Sequence, residues 1–305
     1  MNFFEMKSKF EHRFIFLQLL VLIFILSIWE WGWEFNQWLV EDYPRSVQKL
    51  FLITILDPFF ISKPTEIWFR FQEMSCFITK SGQSTFFHQN EFWQCIDKNR
   101  YHLWGMTWAT LYNTFWGFLV GVSSGVLIGL ILGRSYVLAK IFEPFIVAFN
   151  SLPRIALVPL IVLLFGLGDL SKIMTAWIIV FFLVFFNTYE GARSVDRDQI
   201  NAAKLMGASD LQITMTVVIP STMSWVFASL TPAVSFSLIG VIVGEFIGAE
   251  KGLGKIIIES ESTMETADMM VSLFVLMIVG VLLAYFVRRI QSHLLRWQSQ
   301  HSAER

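Results

Sequence analysis

Charge is what this 305-residue chain has least of. Asp, Glu, Lys and Arg together make up 15% of it, against 55% hydrophobic residues, and the mean hydropathy is +0.57. A water-soluble domain carries about a quarter charged residues, so a chain this poor in charge belongs in lipid. The net charge is −1, which leaves no basic excess to hold nucleic acid. Cysteine is nearly absent. Cys76 and Cys95 are the only two, excluding a cysteine-rich metal site and a disulfide-dense scaffold. The five histidines (His12, His88, His102, His293, His301) are scattered without ligand spacing, so no metal site is expected. No nucleophile–base set is recognisable and no catalytic residue is assigned. Low-complexity tracts are missing, and so is the inverted repeat that many secondary transporters use.

What the chain has instead is long apolar runs and aromatic rings: 31 Phe and 12 Trp, residues suited to lipid and its interfaces. A helical span needs about 20 mostly apolar residues. Six stretches qualify: 14–31, 105–133, 141–166, 172–189, 211–244 and 269–287, the fifth divided by Pro220 and Pro232. The first follows a basic start (Lys7, Lys9, Arg13), as a signal peptide would, but Ser27–Trp31 is too bulky for a cleavage site, so it reads as an uncleaved span. Lys and Arg in the short loops set the orientation. With the N-terminus cytoplasmic, Arg134, Lys140, Arg193, Arg197, Lys204 and the tail with Arg288, Arg289 and Arg296 all fall inside. The loops 166–171 and 249–268 fall outside. The expected organisation is an all-α membrane protein with an N-terminal transmembrane helix (1–31), an extracytoplasmic or interfacial excursion (32–104), a membrane core (105–290) containing a polar loop (190–222), and a cytoplasmic tail (291–305).

The excursion is too rich in Trp and Phe for a plain linker. Its Leu50–Phe60 run is too short to span and suits the interface or the side of the bundle. Cys76 and Cys95 both lie in it, on the oxidising side. They read either as a disulfide closing the excursion or as two partly buried thiols, because spacing alone does not bring Cα atoms together.

Several features of the core have a physical meaning. Gly117, Gly121, Gly125, Gly129 and Gly133 recur every four residues along the second span and form one stripe against which a neighbouring helix can approach closely. In the third span, Asn150 is followed by Pro153, Arg154 and Pro159. Backbone groups freed by proline at membrane depth must be buried in protein or line water. An intramembrane Arg is a pathway candidate, or else it snorkels to an interface or pairs with an acid. Asn187 in the fourth span is a further pathway candidate. Glu245, after the longest uncharged run, reads equally as pathway lining, as a residue at the outer mouth, or as one structural pair. The stretch Ala249–Ile256 (AEKGLGKI) invites comparison with a phosphate loop but has Ala249 where Gly is needed and Ile256 where Ser or Thr is needed. It is expected to be a glycine turn that binds no ATP.

The loop 190–222 is too long and too patterned for a connector. Asp196 or Asp198 can cap a helix running to Met206, Gly207 breaks it, and Ser209 or Asp210 can cap a second helix that ends towards Pro220. A polar helix–turn–helix suits docking of a soluble partner, or it rests on the headgroups. Here Ala202-Ala203-x3-Gly207-x9-Val217-x-Ile219-Pro220 resembles the EAA loop of permease subunits in binding-protein-dependent ABC importers. Asn201 stands where that pattern has Glu, Val217 where it has Ile, and Ile219 where it has Leu. Further stretches (Asn150–Pro159, Leu163–Lys172, Phe185–Gly191, Val243–Glu245 and Gly252–Gly254) are similar to the nitrate/taurine/sulfonate-type branch.

The resemblance covers about residues 104–297. It implies a type I importer permease fold and a bacterial inner-membrane location. It implies a transmembrane subunit that forms the path for a small solute, an oxyanion such as nitrate, a sulfonate, taurine or bicarbonate. ATP and Mg would sit on separate ATPase subunits, not in this chain. The other partners implied are an extracytoplasmic solute-binding protein, a second permease copy (a homodimer) and the bilayer. Asn201, Ala202, Ala203, Lys204, Gly207, Ala208 and Ser209 would form the coupling contact with the ATPase, with Asn201 lacking the ionic role of the Glu. A stand-alone channel or secondary transporter is the alternative, and it would not need the hairpin.

Overall fold

The structure, a computed structural model, describes residues 3–40, 57, 59–77, 102–248 and 250–294, with the side chains of 3–15, 39, 40 and 150 left undescribed. Every regular element among these residues is helical. They fall into two compact units, Met1–His102 with Glu259–Leu273, and Leu103–Ile258 with Phe274–Arg305. Among the described residues, five helices are long and apolar enough to cross a membrane, or six if one bent pair counts as a span.

The larger unit is built on three long helices, α3 (Leu103–Arg134), α6 (Asp169–Arg193) and α9 (Ile219–Phe246). Numbered between them are α4 and α5 of the bent pair and α7 and α8 of the hairpin, given below. Helix α6 packs extensively against both α3 and α9, and small residues explain how. A Cβ added at Gly117, Gly121, Gly129 or Gly133 would come within 2.4–2.8 Å of Ala176, Val180, Thr188 or Ala192 on α6. At Gly125 it would meet the Phe181 carbonyl at 3.0 Å. From the other side, a Cβ at Gly240 of α9 would come within 2.8 Å of the Ala176 Cα. Ala176 is thus held between glycines of two helices and is fully buried. In lipid, where apolar burial gives little drive, such close packing is a main source of cohesion. Hydroxyls that the seam buries donate back to their own helix: Thr114 to the Thr110 carbonyl (2.7 Å), Thr175 to Ser171 (2.8 Å) and Thr188 to Val184 (2.8 Å).

Two of the six expected spans differ in form. The third is a bent pair. Helix α4 (Tyr136–Ser151) is followed by a 3-10 turn (Arg154–Leu157) and α5 (Val158–Phe165), with a bend of 82°. The cause is Pro153, since the residue before a proline is pushed to extended backbone and Leu152 has ψ 134°. The fifth is continuous where a break was expected. Pro220 lies in the first turn of α9, directly after a π-helical turn over Thr214–Val218. Pro232 is accommodated inside the helix. In the turn before it, the Gln291 amide donates to the Phe227 carbonyl and its oxygen accepts from the Thr231 hydroxyl (3.0 Å).

In the smaller unit, α1 runs from Phe3 to Val40, beyond the expected end at residue 31, and α2 (Pro64–Met74) occupies part of the excursion. Cys76 is fully buried and disulfide-bonded. Cys95 and most of Leu50–Phe60 lie outside the described residues. The last helices, α10 (Leu253–Thr263) and α11 (Thr266–Leu294), each contribute residues to both units. Helix α10 had no counterpart in the sequence reading, which took 249–268 for a loop.

Candidate functional site

The hairpin 196–218 builds itself from local signals. Asp196 caps α7 (Arg197–Leu205) by accepting from the Asp198 N–H (2.8 Å). Gly207, at φ +84°, makes the reversal that a β-carbon would strain. Ser209 caps α8 (Asp210–Ile213) in a full capping box. Its hydroxyl accepts from Gln212 N–H, and the Gln212 side-chain oxygen accepts from Ser209 N–H. A five-residue π-helix (Thr214–Val218) joins α8 to α9. The underside packs on Ala192, Val195, Ile213 and Val218, with Ala203, Ala208 and Val217 against them. Arg134, at the end of α3, reaches Thr214 and Asp210, both at 3.2 Å.

The seven residues of the expected coupling contact divide between two faces. Ala203 and Ala208 turn towards the hairpin's own core. Asn201, Ala202, Lys204, Gly207 and Ser209 are exposed. Between them stand two residues the sequence reading did not single out, Leu205 at 90% and Met206 at 88% exposure. They sit at the tip where α7 ends, with nothing described covering them. Their signal was present in the sequence, as two adjacent large apolar residues next to the Gly207 break.

At the opposite end of the three-helix core lies a buried polar cluster. Glu245 is 1% exposed. One of its oxygens accepts from the Thr110 hydroxyl (2.8 Å) and the other from the Gly254 N–H (2.8 Å). Thr110 in turn accepts from the Leu253 N–H (2.9 Å), and the Gly252 N–H points at the Met106 sulfur (3.2 Å). Lys172 donates to the Lys251 carbonyl and to Asp169, both at 3.1 Å. Asn113 also donates to Asp169 (3.2 Å). Four successive residues, 251–254, are therefore held by side chains from α3, α6 and α9. A carboxylate bonded to the Gly254 N–H, in the first turn of α10, is favourably placed electrostatically. The glycines leave the room it needs: a Cβ at Gly252 would stand 2.1 Å from the Glu245 carboxylate, and one at Gly254 would stand 2.8 Å from the Glu245 Cβ. Gly252 also has φ +132°.

Among the readings of Glu245, the geometry favours a structural role over pathway lining, because both oxygens are engaged and sealed from the surface. The Gly-rich stretch does make a turn, yet its Gly252–Gly254 part is buried and pinned. Thr110, Asn113 and Lys172 were missed because each is ordinary in its own stretch and becomes polar company only through the packing of helices. Asn187 donates to the Leu183 carbonyl of its own helix (2.8 Å). Arg154 is half-buried, with its guanidinium 5.5 Å from the centre of the Phe182 ring. The side chain of Asn150 lies outside the described residues. No group of three metal-ligating side chains occurs among the described residues.

Comparison with known proteins places this architecture. The family described as binding-protein-dependent transport system inner membrane component matches residues 125–300. The chain is similar to the permease protein SsuC of Bacillus subtilis, assigned to aliphatic sulfonates transport: 27% identity over 199 residues, 65% of this chain and 72% of the relative. It is similar to the taurine transport system permease protein TauC of Escherichia coli, with 27% identity over 198 residues, 65% of this chain and 72% of the relative. Among solved structures it resembles the MetNI methionine ABC transporter in an inward-facing conformation. There the TM-score is 0.53 at 22% identity, covering 61% of this chain and 93% of that one.

Proposed function

This chain belongs to the family of binding-protein-dependent transport system inner membrane components, and from that premise we propose how it works and what it carries. It is a transmembrane permease subunit of an ABC importer. The observation that carries the mechanism is the hairpin tip, where Leu205 and Met206 stand exposed on an otherwise self-satisfied, capped scaffold. Exposed apolar side chains rimmed by polar ones mark a protein contact. The partner is a separate ATPase subunit, with ATP and Mg bound there, and Asn201, Ala202 and Lys204 form the polar rim. Asn201 in place of Glu leaves that rim without its ionic contact. The hairpin is cytoplasmic, in the inner membrane, with both termini on the same side. The pinned 251–254 end faces outwards, where a solute-binding protein delivers the solute, and two copies of this chain enclose the path.

ATP binding drives transport only if it distinguishes two states of the assembly. The ATPase dimer closes, the paired hairpins follow, and the three-helix cores rock as rigid bodies. The glycine seam between α3, α6 and α9 suits this, because backbone-to-backbone packing transmits a push with little slack. The cargo is a small oxyanion of the sulfonate or taurine kind, a reading supported by the similarity to SsuC and TauC. Co-purification with a co-expressed ABC ATPase subunit, followed by binding-protein-dependent uptake of labelled taurine in proteoliposomes, tests the proposal. Uptake that proceeds without the ATPase would sink it.

A further inference from the structure

Helix α2 lies in the part of the chain that precedes the family match, and its contacts fix its depth. At its start, the Thr65 N–H and hydroxyl both donate to the Glu30 carboxylate (3.2 and 2.7 Å), and Lys63 bonds Glu34 at 2.6 Å. Further along, Arg70 grips Asp268 with two parallel bonds (2.6 and 2.7 Å) and Glu73 with a third (2.7 Å). Ser62 and Thr266 are hydroxyl to hydroxyl at 3.0 Å.

These anchor points are not arbitrary positions along α1 and α11. Glu30 is the first charge after the uncharged run 14–29, a rise of about 24 Å at helical pitch. Asp268 immediately precedes the uncharged run 269–287, a rise of about 28 Å. Each run comes close to the roughly 30 Å of a hydrocarbon core, so Glu30 and Asp268 mark its edge. A helix tied to both is held at that edge.

The side chains that α2 and its approach leave uncovered suit that level. Trp68 and Phe69 are 62% and 46% exposed, while Ile67 and Met74 are buried beneath. Phe59 and Phe60 just before it, and Trp31 and Trp38 just past Glu30 on α1, are exposed as well. Below them, every residue of α1 from Phe16 to Ile28 except Ser27 is exposed, so the rings continue a surface already given over to lipid. Trp at the boundary between hydrocarbon and headgroups is the usual aromatic belt.

We propose that α2 is an interfacial helix that lies on the membrane and inserts Trp68 and Phe69 among the lipids, strapping the end of α1 to the end of α11. The occupant of its exposed face is the lipid interface. This rests on the membrane reading of α1 and α11, and on the topology above only for which leaflet it enters.

The test places a nitroxide at Trp68→Cys and, separately, at Phe69→Cys in the full chain. The chain is assembled with its ATPase and reconstituted in phosphatidylcholine–phosphatidylglycerol vesicles, with unsubstituted protein as labelling background. Power saturation then compares collisions with oxygen, which partitions into lipid, and with a water-soluble nickel complex. Oxygen dominates at both positions if the proposal holds, and adding Arg70→Ala raises nickel access at each. Nickel dominating in the Arg70 parent overturns it, because α2 then stands in water. Low access to both reagents also overturns it, because a protein surface then covers the face. Sidedness is read independently, by blocking each cysteine with a membrane-impermeant maleimide. Oxygen-accessible labels blocked only from the cytoplasmic side would leave the interfacial helix standing and overturn the proposed topology.

Discussion

The two loops at opposite ends of the three-helix core solve the same problem in opposite ways. Each must reverse the chain and satisfy the polar backbone at a helix start. The hairpin 196–218 does so with its own residues: Asp196, Ser209 and Gln212 cap it from within. The 251–254 turn borrows Glu245, Thr110 and Lys172 from three other helices. The difference follows from solvent. An exposed loop can complete its hydrogen bonds with water, so local caps are enough. A buried one cannot, and every unmet group there costs free energy. The lesson is that the self-capped loop is free to give its outer surface to a partner, whereas the borrowed one is committed to rigidity.

The comparison can be broken most severely at Gly252. Gly252→Val adds a branched side chain at φ +132° into the space of the Glu245 carboxylate. The expected outcome is loss of folded protein from the membrane fraction, measured by size-exclusion of the detergent extract. Next is Glu245→Ala, which orphans the Gly254 N–H and leaves the Thr110 hydroxyl only its 3.3 Å bond to the Met106 carbonyl as donor. It should destabilise by about 1–3 kcal/mol, read as a lowered melting temperature in detergent, while ATPase pull-down persists. The double variant Leu205→Asp, Met206→Asp should do the reverse. Its melting temperature stays at the wild-type value and ATPase binding weakens at least about tenfold, or ~1.4 kcal/mol, in a titration with the purified ATPase. A fall in melting temperature comparable to that of Glu245→Ala would show that the tip is structural. Ser209→Ala, which removes one cap of the hairpin, should cost about 1 kcal/mol. Smallest is Arg134→Ala, whose partner Asp210 is 85% exposed. It should cost about 0.2–1 kcal/mol and sharpen the contrast by showing how little the hairpin depends on outside help.

The sequence was readable where structure is local or where lipid imposes length. Apolar runs located the long helices. The four-residue glycine period pointed to a close seam, although which helix fills it, α6, is a matter of tertiary packing. Pro153 bent the third span where an interruption was expected, whereas Pro232 did not divide the fifth. A proline's effect depends on what surrounds it, and Gln291, some 60 residues further on, bonds the turn before it.

By itself, then, the sequence determined that this is a helical membrane protein, where its hairpin lies and which few residues can cap it, because periodicity and capping act within a few residues. The tertiary structure alone decided that Glu245 pins a turn, that Asn113 and Lys172 share Asp169, and that Glu30 and Asp268 hold α2 at one depth. Those contacts join residues far apart in the chain, and the free energy of a buried polar group depends on the neighbours that packing brings to it.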